Sequence, residues 1–559
     1  MPDSAAQPST DVRLRTGGQI LVDALLAQGV DRAFGVPGES YLAVLDALHD
    51  APIEFVICRH EGAAANAAEA DGKLTGRPGI CMVTRGPGAT HASVGVHTAM
   101  QDSTPMILLI GQVGRPFRER EAFQEVDYRA FFGPLAKWAT EIDDAARIPE
   151  IMCRAFTVAT SGRPGPVVIA LSEDMLTDEV AVADLPRTEP ARPGPRPEDL
   201  QALRTELERA ERPLVLLGGS GWTEAACANV RAFAEANGLP VCASFRRQDL
   251  FDNNHPNYVG HVGLGIDPSL DRRVREADLL LVVGARLSEN CTAGYTRIAA
   301  PVPEQRLVHV HPRADEIGKV FRPVLGIASD MTAFAAALAA LEPVDGGRRR
   351  QSLEQGRRDF EAWTTPPARV PEATGVDLAR CLAHLNATLP PESIMTNGAG
   401  NFAIWLHRFW RYRRFRTELA PTSGAMGYGL PAAIAAKLRR PDAPVVCFAG
   451  DGDFSMYPQE LASAVQAGAN IVTVVVNNGM YGTIRMHQEI HYPGRVVGTR
   501  LVNPDFVAFG EACGCHAERV ERTEDFAAAF GRAMAAGRPA LLELVTDPNQ
   551  ITPVARIKA

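Results

Sequence analysis

The sequence predicts an α/β protein of three domains, each built around a parallel sheet. With 559 residues, 46% hydrophobic and 22% charged, the chain has a globular composition and is too long for one hydrophobic core. Short apolar strands alternate with helical patterns along most of its length, which is typical of parallel sheets covered by helices. Two proline-containing stretches interrupt this alternation and predict the domain boundaries.

The first domain is predicted to span residues 1–184. Its predicted strands are Ala33 to Val36, Glu54 to Cys58, Gly79 to Thr84, Met106 to Ile110 and Pro166 to Ala170. Residues 185–205 are predicted to form a linker, because the prolines between Pro186 and Pro197 cannot continue a helix or a strand.

The middle domain is predicted to span residues 206–342. Its predicted strands are Leu214 to Leu217, Leu279 to Val283 and Leu307 to Val310. Gly218-Gly219-Ser220-Gly221 follows the first of them, but Glu224 stands where a third glycine would complete a dinucleotide-binding fingerprint. A tight turn and a nucleotide site are equally compatible with this pattern.

A second linker is predicted at 343–371 and the third domain at 372–559. The basic run Arg348-Arg349-Arg350 in the linker predicts a solvated face rather than an anion site. The arginines between Arg411 and Arg416 predict an amphipathic surface or a subunit contact, since a nucleic-acid site would need a second basic patch.

Composition and charge limit the classes of partner and the cellular compartment that we predict. The formal charge of -9 is mixed along the chain, so we predict no nucleic-acid partner. No apolar run approaches the ~20 residues of a membrane span, and Met1 to Thr16 lacks the plan of a signal peptide, so we predict no membrane association and a cytoplasmic location. The ten cysteines, including Cys513 and Cys515, lack metal-ligand spacing and predict buried reduced thiols.

Gly450-Asp451-Gly452 is the most informative motif of the chain. It closes the apolar run Val445 to Ala449, and a helical stretch and a second β-branched strand then lead to Asn477-Asn478. Neighbouring parallel strands end at the same edge of a sheet, so we expect Asp451 and Asn478 to meet there. A carboxylate, an amide oxygen and one main-chain carbonyl, that of Met480, suit Mg²⁺ beside a diphosphate.

The segment Gly450 to Asn478 resembles the thiamine diphosphate-binding motif. Most of the chain is similar to the acetolactate synthase and pyruvate oxidase group, through Gly35-Val36-Pro37-Gly38, Arg59-His60-Glu61, Gly86-Pro87-Gly88-Ala89, Phe123-Gln124-Glu125 and Gly427-Tyr428-Gly429-Leu430-Pro431. The resemblance implies three doubly wound parallel-sheet domains that are, in order, pyrimidine-binding, central and diphosphate-binding.

The resemblance also implies roles for individual residues. Glu61, just past a predicted strand, would hydrogen-bond the aminopyrimidine ring, although a carboxylate in the first turn of a helix is an ordinary alternative. Met426 would wedge beneath the coenzyme or, alternatively, fill a gap in the core. The implied cofactor contacts are Pro37, Glu61, Asn401, Met426, Gly450, Gly452, Asp453, Asn478, Met480 and Tyr481, and the metal ligands are Asp451, Asn478 and Met480.

Substrate contacts are implied for Phe123 and Gln124, for which packing in a loop is the alternative. The sequence departs from the family pattern at three places: His487 stands where the synthases have a substrate-selecting tryptophan, Arg85 replaces a serine before Gly-Pro-Gly, and Asn401-Phe402 replaces Gln-His. A charged or bulkier substrate is compatible with these departures. His60, His91 and His97 are predicted to be structural.

The resemblance implies thiamine diphosphate- and Mg²⁺-dependent decarboxylation of a 2-keto acid, with pyruvate the first choice, and transfer of the acyl anion to a second carbonyl, as in an acetolactate synthase-like carboligase. A non-oxidative decarboxylase and a non-catalytic cofactor-binding protein remain alternatives, although no paired histidines stand out for the former. FAD is a further cofactor to consider, because Gly284-Ala285-Arg286 resembles part of its site. We expect a homodimer or homotetramer with active sites between subunits.

Overall fold

The computed structural model describes residues 12–187, 189–368 and 373–557. The prediction for Met1 to Thr16 therefore lies largely outside the described residues, as do the end of the second predicted linker and residue 372. The chain divides into two compact units. The first comprises the residues up to Ala191 with Ile434–Arg439 and Ala462–Ala467, and the second comprises Arg192–Ala433, Arg440–Leu461 and the residues from Gly468 onward.

The first unit contains a six-stranded parallel sheet in the order β3-β2-β4-β5-β7-β6 and a small antiparallel pair, β1 and β8. The strands are β1 Leu14–Thr16, β2 Arg32–Gly35, β3 Glu54–Ile57, β4 Gly79–Val83, β5 Met106–Gln112, β6 Trp138–Ile142, β7 Pro166–Ser172 and β8 Glu179–Ala181. The helices are α1 Gly17–Ala27, α2 Leu42–His49, α3 Glu61–Thr75, α4 Pro87–Asp102, α5 Tyr128–Phe132 and α6 Ile148–Thr160. The central strands β4, β5 and β7 are buried along their whole length, as expected for a sheet covered on both faces.

The second unit contains two more parallel sheets. The middle sheet has the order β11-β10-β9-β12-β13-β14. Its strands are β9 Pro213–Leu217, β10 Val241–Ala243, β11 Tyr258–His261, β12 Leu279–Val283, β13 Arg306–His311 and β14 Leu325–Ala328. The helices of this region are α7 Pro197–Arg209, α8 Glu224–Ala236, α9 Pro268–Glu276, α10 Met331–Ala339 and α11 Arg350–Thr364.

The third sheet has the order β16-β15-β17-β18-β20-β19. Its strands are β15 Ile394–Asn397, β16 Glu418–Leu419, β17 Val445–Gly450, β18 Val472–Asn477, β19 His516–Val520 and β20 Ala540–Val545. Its helices are α12 Leu378–Thr388, α13 Phe402–Phe409, α14 Gly429–Arg439, α15 Asp451–Phe454, α16 Glu460–Gln466, α17 Gly482–His491, α18 Phe506–Ala512 and α19 Phe526–Ala535.

The predicted α/β class with three parallel sheets is confirmed. The exact domain boundaries stay a proposal, and the two predicted linkers are more ordered than expected. Helix α7 begins inside the first linker, because Pro197 occupies the first turn, where its missing N–H costs nothing. Helix α11 fills most of the second linker.

The prediction of a solvated basic run in the second linker is wrong for Arg349. Its side chain is fully buried, and its guanidinium donates hydrogen bonds to the carbonyl oxygens of Leu207, Ala210 and Asn237. These carbonyls lie at or just beyond the ends of α7 and α8, where unpaired carbonyl groups and the helix dipole favour a cation. Among the described residues, no helix is long and apolar enough to cross a membrane.

Candidate functional site

Asp451 and Asn478 both lie at the carboxyl edge of the third sheet. Strand β17 pairs in parallel with β18, with Gly450 opposite Val476. Asp451 follows β17 at once as the first residue of α15, and Asn478 follows the end of β18. The register of the two strands therefore places both polar residues at one sheet edge, as predicted.

The Asp451 carboxylate is buried and accepts three hydrogen bonds. The backbone N–H of Gly452 donates to Oδ1 at 2.9 Å, and that of Gly479 donates to Oδ2 at 2.9 Å. The side-chain amide of Asn503 donates to Oδ2 at 2.8 Å. Burial raises the pKa of Asp451, whereas these N–H donors act in the opposite direction.

Asn503 was missed by the sequence analysis. Its amide also donates to Oδ1 of Asn477 at 3.0 Å, while the Asn477 amide donates to Oε1 of the buried Glu543 at 2.7 Å. Asn503 therefore links the ends of β17 and β18. It lies 52 residues after Asp451 in a segment without regular structure, so no periodicity or spacing indicates the contact.

A cavity of about 330 Å³ opens at this edge. All nine residues of the third domain that were predicted to contact cofactor or metal line it: Asn401, Met426, Gly450, Asp451, Gly452, Asp453, Asn478, Met480 and Tyr481. Asp451, Asn478 and the Met480 carbonyl offer oxygen ligands of the kind Mg²⁺ prefers. The donor set fits a Mg²⁺ diphosphate group, although the binding roles stay predictions.

The glycines of the motif are required by close packing. A Cβ at Gly452 would lie 2.5 Å from the Tyr481 ring, and one at Gly450 would lie 2.7 Å from the Phe402 ring. Side chains at these positions would push the two aromatic rings away from the sheet edge. The glycines thus allow the Tyr481 and Phe402 rings to pack directly against the backbone of this turn.

Asp453, which was predicted as a cofactor contact, also stabilises the site through its side chain. Its Oδ1 accepts hydrogen bonds from the N–H of Ala399 at 2.9 Å and of Gly427 at 2.8 Å. It therefore ties the loop that carries Asn401 to the loop that carries Met426. Burial raises the pKa of Asp453 to about 7, and Oδ2 is buried with no hydrogen-bond partner among the described residues.

The carboxyl edge of the first sheet carries Glu61. Glu61 begins α3, and a three-residue connection separates it from the end of β3 at Ile57. His60 caps the helix by accepting the Gly62 N–H at its Nδ1. The Glu61 side chain is 15% exposed, and its Oε2 lies 3.0 Å from Nδ1 of His91. The prediction that His91 is merely structural missed this contact, because thirty residues separate the two side chains.

His60 and His91 also form a stacked pair, with ring centroids 4.7 Å apart. Burial and the neighbouring His91 lower the pKa of His60, which Glu61 partly opposes. No such pair was evident in the sequence, because the two histidines lie on different helices. The first unit therefore presents one carboxyl and two imidazoles side by side.

The substrate candidates Phe123 and Gln124 lie on a turn of the same unit. Phe123 is 75% exposed, and Gln124 has a left-handed backbone with φ of 65°. Pro37 is exposed just beyond the end of β2. The exposed Phe123 ring has few neighbours within its own unit, so the alternative that it is ordinary loop packing is not favoured.

The glycines of the middle sheet have a packing explanation. Gly219 and Gly284 both have positive φ, and a Cβ at either residue would clash with a backbone oxygen of the other turn. The indole N–H of Trp222 donates to the Gly218 carbonyl at 2.8 Å. This supports the tight-turn interpretation of Gly218 to Gly221 and leaves FAD a proposal.

Three family models match the chain, each over one of its sheets. The thiamine pyrophosphate enzyme N-terminal TPP-binding domain matches residues 15–131, the central domain matches 200–338, and the C-terminal TPP-binding domain matches 398–544. Thiamine pyrophosphate and thiamine diphosphate are two names for one compound. The order of the three matches is the order implied by the sequence resemblance.

The curated relatives match over nearly the full length. The probable acetolactate synthase large subunit of Methanocaldococcus jannaschii is 33% identical, covering 96% of this chain and 93% of the relative. The large subunit of acetolactate synthase isozyme 2 of Escherichia coli is 31% identical, covering 95% of each chain. With these matches and three thiamine pyrophosphate enzyme domains, the chain belongs to the thiamine pyrophosphate-dependent enzymes, in the acetolactate synthase and pyruvate oxidase-like group.

Proposed function

We propose that the protein is a thiamine diphosphate- and Mg²⁺-dependent carboligase. It would decarboxylate a 2-keto acid, with pyruvate as the first candidate, and transfer the acyl anion to a second carbonyl compound. The observation that carries this proposal is the cavity at the third sheet edge, which nine independently predicted residues line. The names of the relatives, acetolactate synthase large subunits, support the same reaction class.

The bound coenzyme would supply the nucleophilic carbon and the electron sink that decarboxylation of a 2-keto acid requires. Asp451, Asn478 and the Met480 carbonyl would hold the Mg²⁺ ion. The Asp453 N–H would bind a diphosphate oxygen, whereas the N–H of Gly452, the other predicted donor, donates to Oδ1 of Asp451. Glu61 would hold a proton at its carboxyl group against the pyrimidine ring. Met426 would orient the two rings of the coenzyme.

An assembly of two or four chains is part of the proposal. Glu61 belongs to the first compact unit and Asp451 to the second. We propose that Glu61 of one chain serves the Asp451 site of a second copy, in a homodimer or a homotetramer, as the resemblance implies. A sedimentation measurement of the purified protein tests this, and a monomer that turns over substrate would contradict it.

One observation favours a second candidate, non-oxidative decarboxylation. Aldehyde release needs a proton donor near the reacting carbon, and the stacked His60 and His91 beside Glu61 bring imidazoles to that region. This pair is the feature that the sequence analysis did not find. The two candidates differ in product: a new carbon–carbon bond in one case and a free aldehyde in the other.

A screen of 2-keto acids with thiamine diphosphate and Mg²⁺ tests the proposal. We expect carbon dioxide release with formation of a 2-hydroxy-3-keto acid, such as acetolactate from pyruvate. Acetaldehyde without acetolactate would favour the second candidate, and absence of carbon dioxide with every keto acid would refute both.

FAD remains part of the proposal for the middle domain. Gly284-Ala285-Arg286 follows β12 at the carboxyl edge of the middle sheet, where nucleotides bind in open α/β sheets. An absorption spectrum of the purified protein tests this assignment. Flavin bands would support it, and a colourless protein that is active without added FAD would refute it.

A further inference from the structure

Arg85 lies at the centre of a cluster in the first unit. Its side chain is 9% exposed, and Nη1 lies 2.7 Å from Oε2 of Glu173. Nη2 lies 3.4 Å from Oε1 of Glu39, and Nε donates to the carbonyl oxygen of Phe123 at 3.3 Å. The guanidinium therefore joins three segments that are far apart in sequence.

Gly86, the residue after Arg85, also packs against the Phe123–Gln124 turn. Its N–H donates to the hydroxyl of the fully buried Tyr128 at 2.7 Å. A Cβ at Gly86 would lie 2.7 Å from Cβ of Gln124, so the two backbones pack with no space for a side chain. Gln124 is held in a left-handed conformation, which is unfavourable for a residue with a side chain.

Hydrogen bonds of Glu125 also stabilise the turn from within. The Glu125 carboxylate accepts the N–H of Glu119 at 2.7 Å and that of Ala122 at 3.0 Å, and these bonds lower its pKa. The Glu125 N–H in turn donates to the Ala122 carbonyl at 2.9 Å. Arg85 thus connects the Phe123 carbonyl of this turn to the sheet edge, and the Gln112 side chain at the end of β5 holds the Val126 carbonyl that follows the turn.

The charge of Arg85 is more than offset within the cluster. Two carboxylates, Glu39 and Glu173, face the guanidinium, and its Nε–H is used by the Phe123 carbonyl. One guanidinium and two carboxylates give the cluster a formal charge of about -1, which does not attract a substrate anion. The expectation that Arg85 signals a charged substrate is therefore not favoured by its surroundings.

We propose that Arg85 is a positioning residue that fixes the Phe123–Gln124 turn and so controls acyl transfer to the acceptor. The catalytic part of this inference rests on the proposed function, in which Phe123 and Gln124 contact the substrates. The structural part does not, because the turn is held whether or not the enzyme is a carboligase. The two parts are tested separately.

Hydrogen exchange followed by mass spectrometry tests the structural part. In Arg85→Ser, we expect the amides of residues 119–127 to exchange on the order of tenfold faster, because the turn loses its anchor. Arg15→Ser is the matched control, since Arg15 is equally buried and also contacts two carboxylates, Asp23 and Asp184, and one carbonyl, that of Val182. Wild-type exchange of residues 119–127 in Arg85→Ser would overturn the proposal.

Product analysis tests the catalytic part. In Arg85→Ser, we expect the ratio of ligated product to carbon dioxide to fall on the order of tenfold, while the KM for the donor keto acid changes little. A rise in the donor KM with an unchanged ratio would assign Arg85 to donor binding and overturn the proposal. If the wild-type protein releases no carbon dioxide but the turn still loosens in the variant, the proposed function fails and the structural part stands.

Arg85→Lys keeps a buried cation and guards against unfolding of the serine variant. Lysine can pair with Glu173, but its single ammonium cannot also hold Glu39 and the Phe123 carbonyl with the geometry of a guanidinium. We expect it to resemble Arg85→Ser in both exchange and product ratio. Full recovery of the product ratio by lysine would show that only the charge matters and would overturn the proposal.

Discussion

The carboxyl edges of the first and third sheets hold their key carboxylates in different ways. Asp451 is buried and accepts two backbone N–H groups and the Asn503 amide. Among the residues that the structure describes in its unit, the Glu61 carboxylate has one hydrogen-bonding side-chain partner, the half-exposed His91. Many backbone donors fix a carboxylate in place, whereas a single exposed partner leaves it free to exchange contacts and protons.

This difference matches the two tasks that we propose. A metal ligand must keep its position and its charge, so it benefits from donors that are part of the backbone. A proton-transferring carboxyl must change its protonation state, so a dense shell of donors would hinder it. Four substitutions test this difference between the two carboxylates, beginning with the one for which we expect the largest effect.

Asp451→Ala should have the largest effect. We expect Mg²⁺-dependent binding of thiamine diphosphate, measured by calorimetry, to weaken more than about 100-fold, because the variant lacks a charged metal ligand. Turnover should be lost with it. The exposed Asp442→Ala, near the start of β17, is the control and should bind as the wild type does. Unchanged binding in Asp451→Ala would remove the metal site from this edge.

Glu61→Gln should separate binding from catalysis. Glutamine has the same shape but cannot hold the acidic proton, so we expect turnover to fall by about 10²- to 10⁴-fold. Coenzyme affinity should change only a few-fold, since the diphosphate end is untouched. Glu54→Gln, in the exposed pair with Arg32, is the control. An unaltered rate in Glu61→Gln would refute the role of Glu61.

Met426→Ala distinguishes a wedge from a core residue. Met426 is only partly buried and lines the cavity. If it orients the coenzyme, turnover should fall on the order of tenfold with little change in the unfolding temperature of the free protein. A core role predicts instead a loss of stability, about 2–5 kcal/mol for a fully buried methionine. Met534→Ala, exposed on α19, is the control.

Glu418 offers a pH test within the same sheet as Asp451. It is buried on β16 and accepts the Gln248 N–H at 2.6 Å, and burial beside the Asp249 carboxyl raises its pKa to about 8. The folded state therefore holds a proton that the unfolded state releases above about pH 4.3. Its contribution to stability is full below that pH and is lost as the pH rises toward 8.

We expect Glu418→Gln to flatten the fall of the unfolding temperature between pH 5 and 8. A single such group contributes at most about 1.4 kcal/mol per pH unit. The exposed Glu392→Gln should leave the pH profile unchanged. If the unfolding temperature falls with pH equally in Glu418→Gln and in the wild type, the buried Glu418 carboxyl is ionised. Asp451, which accepts three hydrogen bonds, is proposed to be ionised as well.

Much of the third sheet edge could be predicted because a strand register is encoded locally. Val445 to Ala449 and Ile471 to Val476 are recognisable as strands, and the turn residues follow directly. The ten strands predicted from the sequence lie within two residues of observed strands at each end, but other strands were missed. The missed strands include the buried β15 and β20 as well as the two-residue β16 and the half-exposed β6. A short apolar run cannot be told from a buried helix segment by periodicity alone, and a short or half-exposed strand has too few apolar residues to stand out from a loop.

The sequence by itself determined the α/β class and the meeting of Asp451 and Asn478 at one sheet edge, because parallel strands deliver their carboxyl ends to one edge. The other cavity residues of the third domain were implied by the family resemblance of the sequence. Only the tertiary structure decided that Asn503 supports Asp451, that His91 contacts Glu61, and that Arg85 anchors the Phe123–Gln124 turn. The physical reason is that these contacts join loops and helices whose separation in the chain carries no period. They form only when packing of the sheets has fixed the path of every intervening segment.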